Sequence, residues 1–309
     1  MRRFLKRLGL FLAGFAAILL VGLLLPPTPR ASSSYLYSYP AKLERFRSLP
    51  PPRLILLGGS NLSFGIDSRI LKEHLGYHVV NMGISVHLGL YFMLDSALPR
   101  IQAGDLVVAA PEYEFYVNDF IHGDEELLRL VLHVAPGDAR FVRPDSWFQL
   151  LKYVPRVALS KFKPMEYLGW SKKFGYSRES FNEYGDIDVH WDEPQQAFSP
   201  HGAFENLLNP AVIRELKEFS DKVVAKGARF MVTFPSFQEE SLAANHQMLN
   251  QLVDLLRAGG IEIVGTPERY AIPFELLYDT SYHPRGEGAA RRTTRLAEDL
   301  ASHLENQGS

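Results

Sequence analysis

Arg53-Leu54-Ile55-Leu56-Leu57-Gly58-Gly59-Ser60-Asn61 is a short apolar run that stops at two glycines and a serine, with Pro51-Pro52 bounding its other end. Uninterrupted apolar character over so few residues reads as a strand buried on both faces, as in a parallel sheet covered by helices. The rest of the chain repeats the pattern. Residues 77–82 read as a second strand with Gly83 as the turn after it, and 105–110, 229–234 and 261–264 as further strands. Helical patterns at 68–75, 88–101, 210–226, 239–258 and 286–304 lie between or after them. Strands alternating with helices of this length predict an α/β fold, a three-layer sandwich whose parallel sheet has helices on both faces. From 112 to about 200 the alternation breaks down and aromatics, histidines and prolines accumulate. That stretch is expected to be an insertion of helix and loop lying over the site.

The ends and the composition bound the function. Arg2, Arg3, Lys6 and Arg7 precede an apolar run from Leu8 to Leu25 that ends at Pro26-Pro27. At 1.5 Å per residue the run spans about 27 Å, enough to cross a bilayer core. Positive residues before it predict a cytoplasmic N-terminus (1–7), a transmembrane signal anchor (8–25) and everything later outside, periplasmic or extracellular. Leu24-Leu25-Pro26-Pro27 offers no small-x-small cleavage site and Arg30-Ala31-Ser32 is a poor one, so the anchor is expected to stay uncleaved. Residues 26–52, rich in Pro, Ser and Tyr, read as a stalk, and 53–305 as the α/β domain with its insertion at 112–200. The formal charge of −2 leaves the chain after Arg7 at −6, without a Lys/Arg cluster, which excludes nucleic acid as an expected partner. The absence of cysteine removes disulfides, thiolate nucleophiles and cysteine-ligated zinc.

Ser60, Gly83, Glu112 and Asp279 each follow a predicted strand or crossover, so all can converge on the carboxyl edge of the sheet, where ligands bind in open α/β folds. The tail Asp279-Thr280-Ser281-Tyr282-His283 supplies an acid and a base. A serine hydroxyl needs a base to remove its proton, and a neutral imidazole needs a carboxylate to fix its tautomer. Ser60 as nucleophile, His283 as base and Asp279 as orienting acid make that set, with the Ser60 and Gly83 amides as an oxyanion hole. No Walker loop, dinucleotide fingerprint or His-Glu-x-x-His stretch is present, and no metal or cofactor is expected. His122, His190 and His201 read as surface or insertion histidines, and His87 as a cleft residue.

These residues resemble the SGNH (GDSL-type) hydrolase and acyltransferase superfamily over about residues 51–304. Ser60 is similar to its first-block nucleophile, Gly83 to its second-block oxyanion glycine, and Asp279 and His283 to its last-block acid and base. The resemblance implies a flavodoxin-like three-layer fold and acyl transfer through serine, without a cofactor. The anchor and Phe181-Asn182-Glu183-Tyr184-Gly185-Asp186 are more similar to membrane-tethered members that modify envelope polymers. This chain departs from the pattern in having Gly59 where the first block has an acid, the acid four rather than three positions before the base, and Ala110-Pro111-Glu112-Tyr113-Glu114 where a Gly-x-Asn-Asp is usual. An ionised Glu112 facing an oxyanion would repel it. Either it points away, or it is protonated, or Asn61, Tyr113 or Asn118 supplies a further donor. The expected function is a serine-dependent esterase or O-acyltransferase acting on an acylated glycan or envelope polymer, with a membrane-bound acyltransferase as a further partner. The alternative is an inactive accessory that binds polymer or that acyltransferase.

Overall fold

The computed structural model describes residues 1–117, 119–171 and 174–308. Helix α1 (Arg2–Leu24) is long and apolar enough to cross a bilayer, and most of it touches nothing else in the protein. After a short turn of helix comes α2 (Tyr39–Ser48). Strand β1 (Arg53–Gly58) leads through Gly59 into α3 (Ser60–Gly65) and α4 (Ser68–Leu75), followed by β2 (His78–Asn81), α5 (Leu90–Ala97) and β3 (Leu106–Ala110). The insertion carries short helices and loops, among them α6 (Pro144–Leu150) and α7 (Val154–Ser160). Then come α8 (Pro210–Ala225), β4 (Arg229–Val232), β5 (Phe237–Gln238), α9 (His246–Ala258), β6 (Ala271–Ile272) and α10 (Gly286–Gly308).

The result is an α/β fold on a four-stranded parallel sheet of order β2-β1-β3-β4. Every residue of β1 and β3 is buried, as their unbroken apolar sequence requires. Leu54 pairs with Val79 on one side and Leu106 on the other, so β1 delivers Ser60 from the middle of the sheet. Arg53 and Asp105 form a fully buried ion pair at 2.6 Å at the other end of these strands. Local signals set some boundaries well: the Asp67 side chain caps α4 by accepting from the Arg69 amide, and Gly76, at φ +72°, ends it.

Three expectations change. The segment 26–52 is no stalk: Leu36, Tyr39, Leu43 and Phe46 are buried in the main core, and the ammonium of buried Lys42 reaches under β2. Tyr39, Leu43 and Phe46 recur at helical spacing, so α2 has an apolar stripe that the Pro- and Ser-rich flanks conceal. The expected helix 239–258 breaks at Asn245, whose side chain donates to the Ser241 and Gly202 carbonyls. The expected strand at 261–264 is a single parallel bridge, Ile263 to Val232. The insertion also does more than lie over the site, because Tyr184 accepts from the Asn81 amide and Ile187 donates to the Ser63 carbonyl, extending the protein beyond the edge of β2.

Candidate active site

Gly59 releases the chain from β1 so that Ser60 begins α3 at the carboxyl edge of the sheet. The Ser60 amide has no acceptor among the described residues, as expected for the first residue of a helix. Ser60 Oγ lies 2.9 Å from His283 Nε2, and His283 Nδ1 lies 2.8 Å from Asp279 Oδ1. The structure therefore brings Ser60, Asp279 and His283 together in one hydrogen-bonded line. The four-residue spacing of acid and base works because the loop is pinched shut. Tyr278 donates its amide to the His283 carbonyl at 2.7 Å, and Leu277 and Pro284 form an antiparallel bridge just outside. Ser236 Oγ donates to the Tyr282 carbonyl and the Gln238 amide to the Ser281 carbonyl, which holds the loop to the end of the sheet.

The imidazole is fixed in plane as well as in position. Phe64, one turn after Ser60, stacks on His283 with ring centroids 4.1 Å apart and planes 8° from parallel. From the insertion, Tyr176 donates its hydroxyl to Asp279 Oδ2 at 2.6 Å, leaving Oδ1 for His283. Burial, reinforced by the Asp279 carboxylate, raises the Tyr176 pKa and keeps it a donor. Nothing in the sequence around Tyr176 distinguishes it from the other aromatics of the insertion. The cleft above Ser60 holds about 430 Å³ and includes Val86, His87, Glu112, Glu114 and His201 in its walls.

Gly83 packs against the β1–α3 turn, where a Cβ on it would meet Leu62 and the Gly59 carbonyl, but its amide donates to Asn81 Oδ1 at 2.9 Å and is not free to face an oxyanion. An Asn two residues earlier is a common competitor for a turn amide. The amide of Val86, without an acceptor among the described residues, instead lies over Gly59: a Cβ on Gly59 would sit 2.7 Å from it. Asn61 is buried and its side chain donates to the Ala110 carbonyl, while Tyr113 is buried against Phe237 outside the cleft. Neither is placed as a further donor, and Asn118 lies outside the described residues. His87 is in the cleft wall as expected, held by Asp124 Oδ2 at 2.7 Å, a contact that raises its pKa. Both Glu112 and Glu114 line the cleft, just past the end of β3 at Ala110.

Glu112 is the unusual group. It is fully buried beneath the β1–α3 turn, accepting from the Gly59 amide at 3.1 Å and the Asn61 amide at 3.2 Å, one on each oxygen. Burial pushes its carboxyl up to about 7, against the hydrogen bonds that favour the anion. A second buried pair supports the site from the other side. Asp186 accepts from Ser68 and from the Asn81 side chain that holds Gly83, while Lys42 donates to the Asn81 and Gly185 carbonyls. Burial lowers Lys42 to about 7 and raises Asp186. His190 is buried against Phe64 and the Pro284 carbonyl, and burial lowers it to about 4. Neither a scan against protein-family models nor a search of curated proteins finds a match to this chain.

Proposed function

We propose that this protein is a membrane-anchored serine esterase or O-acyltransferase of the SGNH (GDSL-type) class, with the three-layer fold of that class. The observation that carries the reading is the Ser60–His283–Asp279 line, with contacts of 2.9 and 2.8 Å. Such a line is what acyl transfer through serine requires. Ser60 Oγ attacks an acyl carbonyl as its proton passes to His283 Nε2. The tetrahedral intermediate then collapses, the leaving alkoxide takes that proton, and an acyl-serine remains. A water or sugar hydroxyl gives its proton to His283 as it attacks the acyl-serine. The acyl–Oγ bond then breaks, and His283 returns the proton to Ser60 Oγ as the carboxylic acid or the new sugar ester leaves. Asp279 stabilises the imidazolium in both halves, and Tyr176 holds Asp279. The oxyanion is held by the Ser60 amide and, with Gly83 engaged elsewhere, by the amide of Val86. Glu112 acts in its protonated form, beneath the turn.

The substrate in this reading is an acylated glycan or related envelope polymer outside the cytoplasm, with the N-terminus inside. A membrane-bound acyltransferase is a partner that would hand over the acyl group. A second reading, an inactive accessory on the same scaffold, draws support from the engaged Gly83 amide and the carboxyl group beneath Ser60. A fluorophosphonate probe separates them. The enzyme reading expects labelling of the native protein and none of Ser60→Ala; an unlabelled native protein, folded by circular dichroism, would sink it.

A further inference from the structure

Large apolar side chains exposed on this protein are unevenly placed. Among the described residues after α1, eight of the thirteen lie between Phe148 and Phe174, including Phe148 and Leu168 at 74% exposure. They belong to α6, α7 and the turns that follow. That segment meets α1 at one end only. Within α1, burial begins at Leu19 and is complete at Gly22. A Cβ on Gly22 would collide with the backbone of Ala158 in α7, and Lys161 Nζ donates to the Pro26 carbonyl at 3.0 Å. From Leu19 to Leu25 is about 10 Å of helix at 1.5 Å per residue.

We propose that residues 148–168 form a foot that sits in the outer leaflet of the bilayer crossed by α1. The inference rests on the reading of α1 as a membrane span. If Leu8 to Leu25 fills a hydrocarbon core about 30 Å thick, α7 stands beside its last third. The outward side chains Leu151, Leu159 and Phe162 are then at lipid depth, and Met165 and Leu168 extend the same apolar surface. Exposed Lys152, Arg156 (paired with Glu125) and Lys163 lie within the same segment, on side chains long enough to reach up to anionic headgroups. Apolar residues interleaved with bases are the composition of an interfacial segment, and water would leave this surface uncompensated. The foot also bears on the site. Arg156 and Tyr153 wall a second cavity of about 600 Å³, which shares His87 and Glu126 with the serine cleft. A substrate held at the lipid surface is thereby next to the groove that leads to Ser60.

The chain has no cysteine, so single cysteines can be placed at will. Leu151→Cys, Phe162→Cys and Leu168→Cys, each labelled with an environment-sensitive nitrobenzoxadiazole, are reconstituted as the full chain in phosphatidylethanolamine/phosphatidylglycerol vesicles. Leu207→Cys, at a site 92% exposed, and Gly14→Cys, at an open position on α1, are the references. The foot predicts that all three labels are quenched by spin-labelled lipid and are several-fold less open to iodide than the label at 207. Labels that behave like 207 while the one at 14 reports lipid would overturn the foot and leave the anchor intact. A label at 14 that reports water would remove the anchor and the foot with it. Labels at the three foot positions shielded from both quenchers would mean that protein covers the patch, which also overturns the proposal.

Discussion

Gly59 and Glu112 occupy space that neither could share with a larger residue at position 59. The Gly59 amide donates to Glu112 Oε2 at 3.1 Å, and a Cβ on Gly59 would meet both carboxylate oxygens. Two departures from the SGNH pattern, the missing acid before the serine and the glutamate after β3, therefore answer one another. The carboxyl group comes from the neighbouring strand, and the position before Ser60 must be bare to receive it. Gly59→Ala should cost about 1–3 kcal/mol by overpacking and lower turnover by shifting Ser60. Adding Glu112→Ala should restore part of the stability, because the clash disappears. Thermal unfolding of both single variants and the double variant gives the coupling, and simple additivity would show that the two residues do not compete for space.

Glu112 also predicts a pH dependence. Its folded pKa, about 7, lies above the ordinary value of 4.5. The contribution of the protonated carboxyl to stability is therefore fully present below 4.5 and is lost as pH rises through 7, by about 3 kcal/mol at most. Glu112→Gln removes that titration but opposes its amide to one of the two backbone donors, for about 1–3 kcal/mol. The variant should be less stable than the native protein at pH 5, with the gap narrowing or reversing by pH 8. The ratio of variant to native turnover should rise over the same range as the native carboxyl ionises near the oxyanion. Parallel stability curves from pH 5 to 8 would mean that Glu112 does not titrate there.

The parallel strands were legible because a fully buried strand is a short apolar run, and Ser60, Asp279 and His283 because each stands just past such a run or in a distinctive tail. What was not legible depends on contacts made across the chain. Gly83 packs against the turn before Ser60, yet the Asn81 side chain, two residues back, decides where its amide points. Glu112 and Glu114 share the cleft from the loop after β3 ends at Ala110, where no strand or helix period says which way a side chain points. Tyr176 meets Asp279 through a fold of the insertion that no local pattern encodes. The segment before β1 was misread for a different reason. Its prolines and serines suggested an extended tether, while Tyr39, Leu43 and Phe46 already carried the helical spacing of a buried face.

That misreading leads to a test. Phe46 is fully buried in the main core, with the Arg53 guanidinium over its ring, 5.0 Å from the centroid. Phe46→Ala should destabilise the whole domain by about 3–5 kcal/mol. A flexible tether would tolerate the change. An unchanged thermal midpoint would return residues 26–52 to the role of a stalk.

The Ser60–His283–Asp279 line, if it is catalytic as proposed, makes the strongest prediction, because groups that act in one proton transfer do not contribute independently. Ser60→Ala and His283→Ala should each remove turnover of an aryl ester by several orders of magnitude, and the double variant should be little worse than either. Tyr176→Phe belongs on a different scale. It keeps the ring that packs near Phe64 and removes the hydroxyl that donates to Asp279 at 2.6 Å. A hydrogen bond to a charged group is worth about 1.5–3 kcal/mol, which caps the loss at roughly ten- to hundred-fold if all of it reaches the transition state. Asp279 would remain bound to His283 but freer to turn, so kcat should fall while KM holds. In the background of Asp279→Asn, Tyr176→Phe should cost much less, because its short bond is to that carboxylate and its contact with His283 Nδ1 is longer, at 3.3 Å. An equal loss in both backgrounds would show that the phenol touches the substrate, and would move Tyr176 from a positioning residue to a catalytic one.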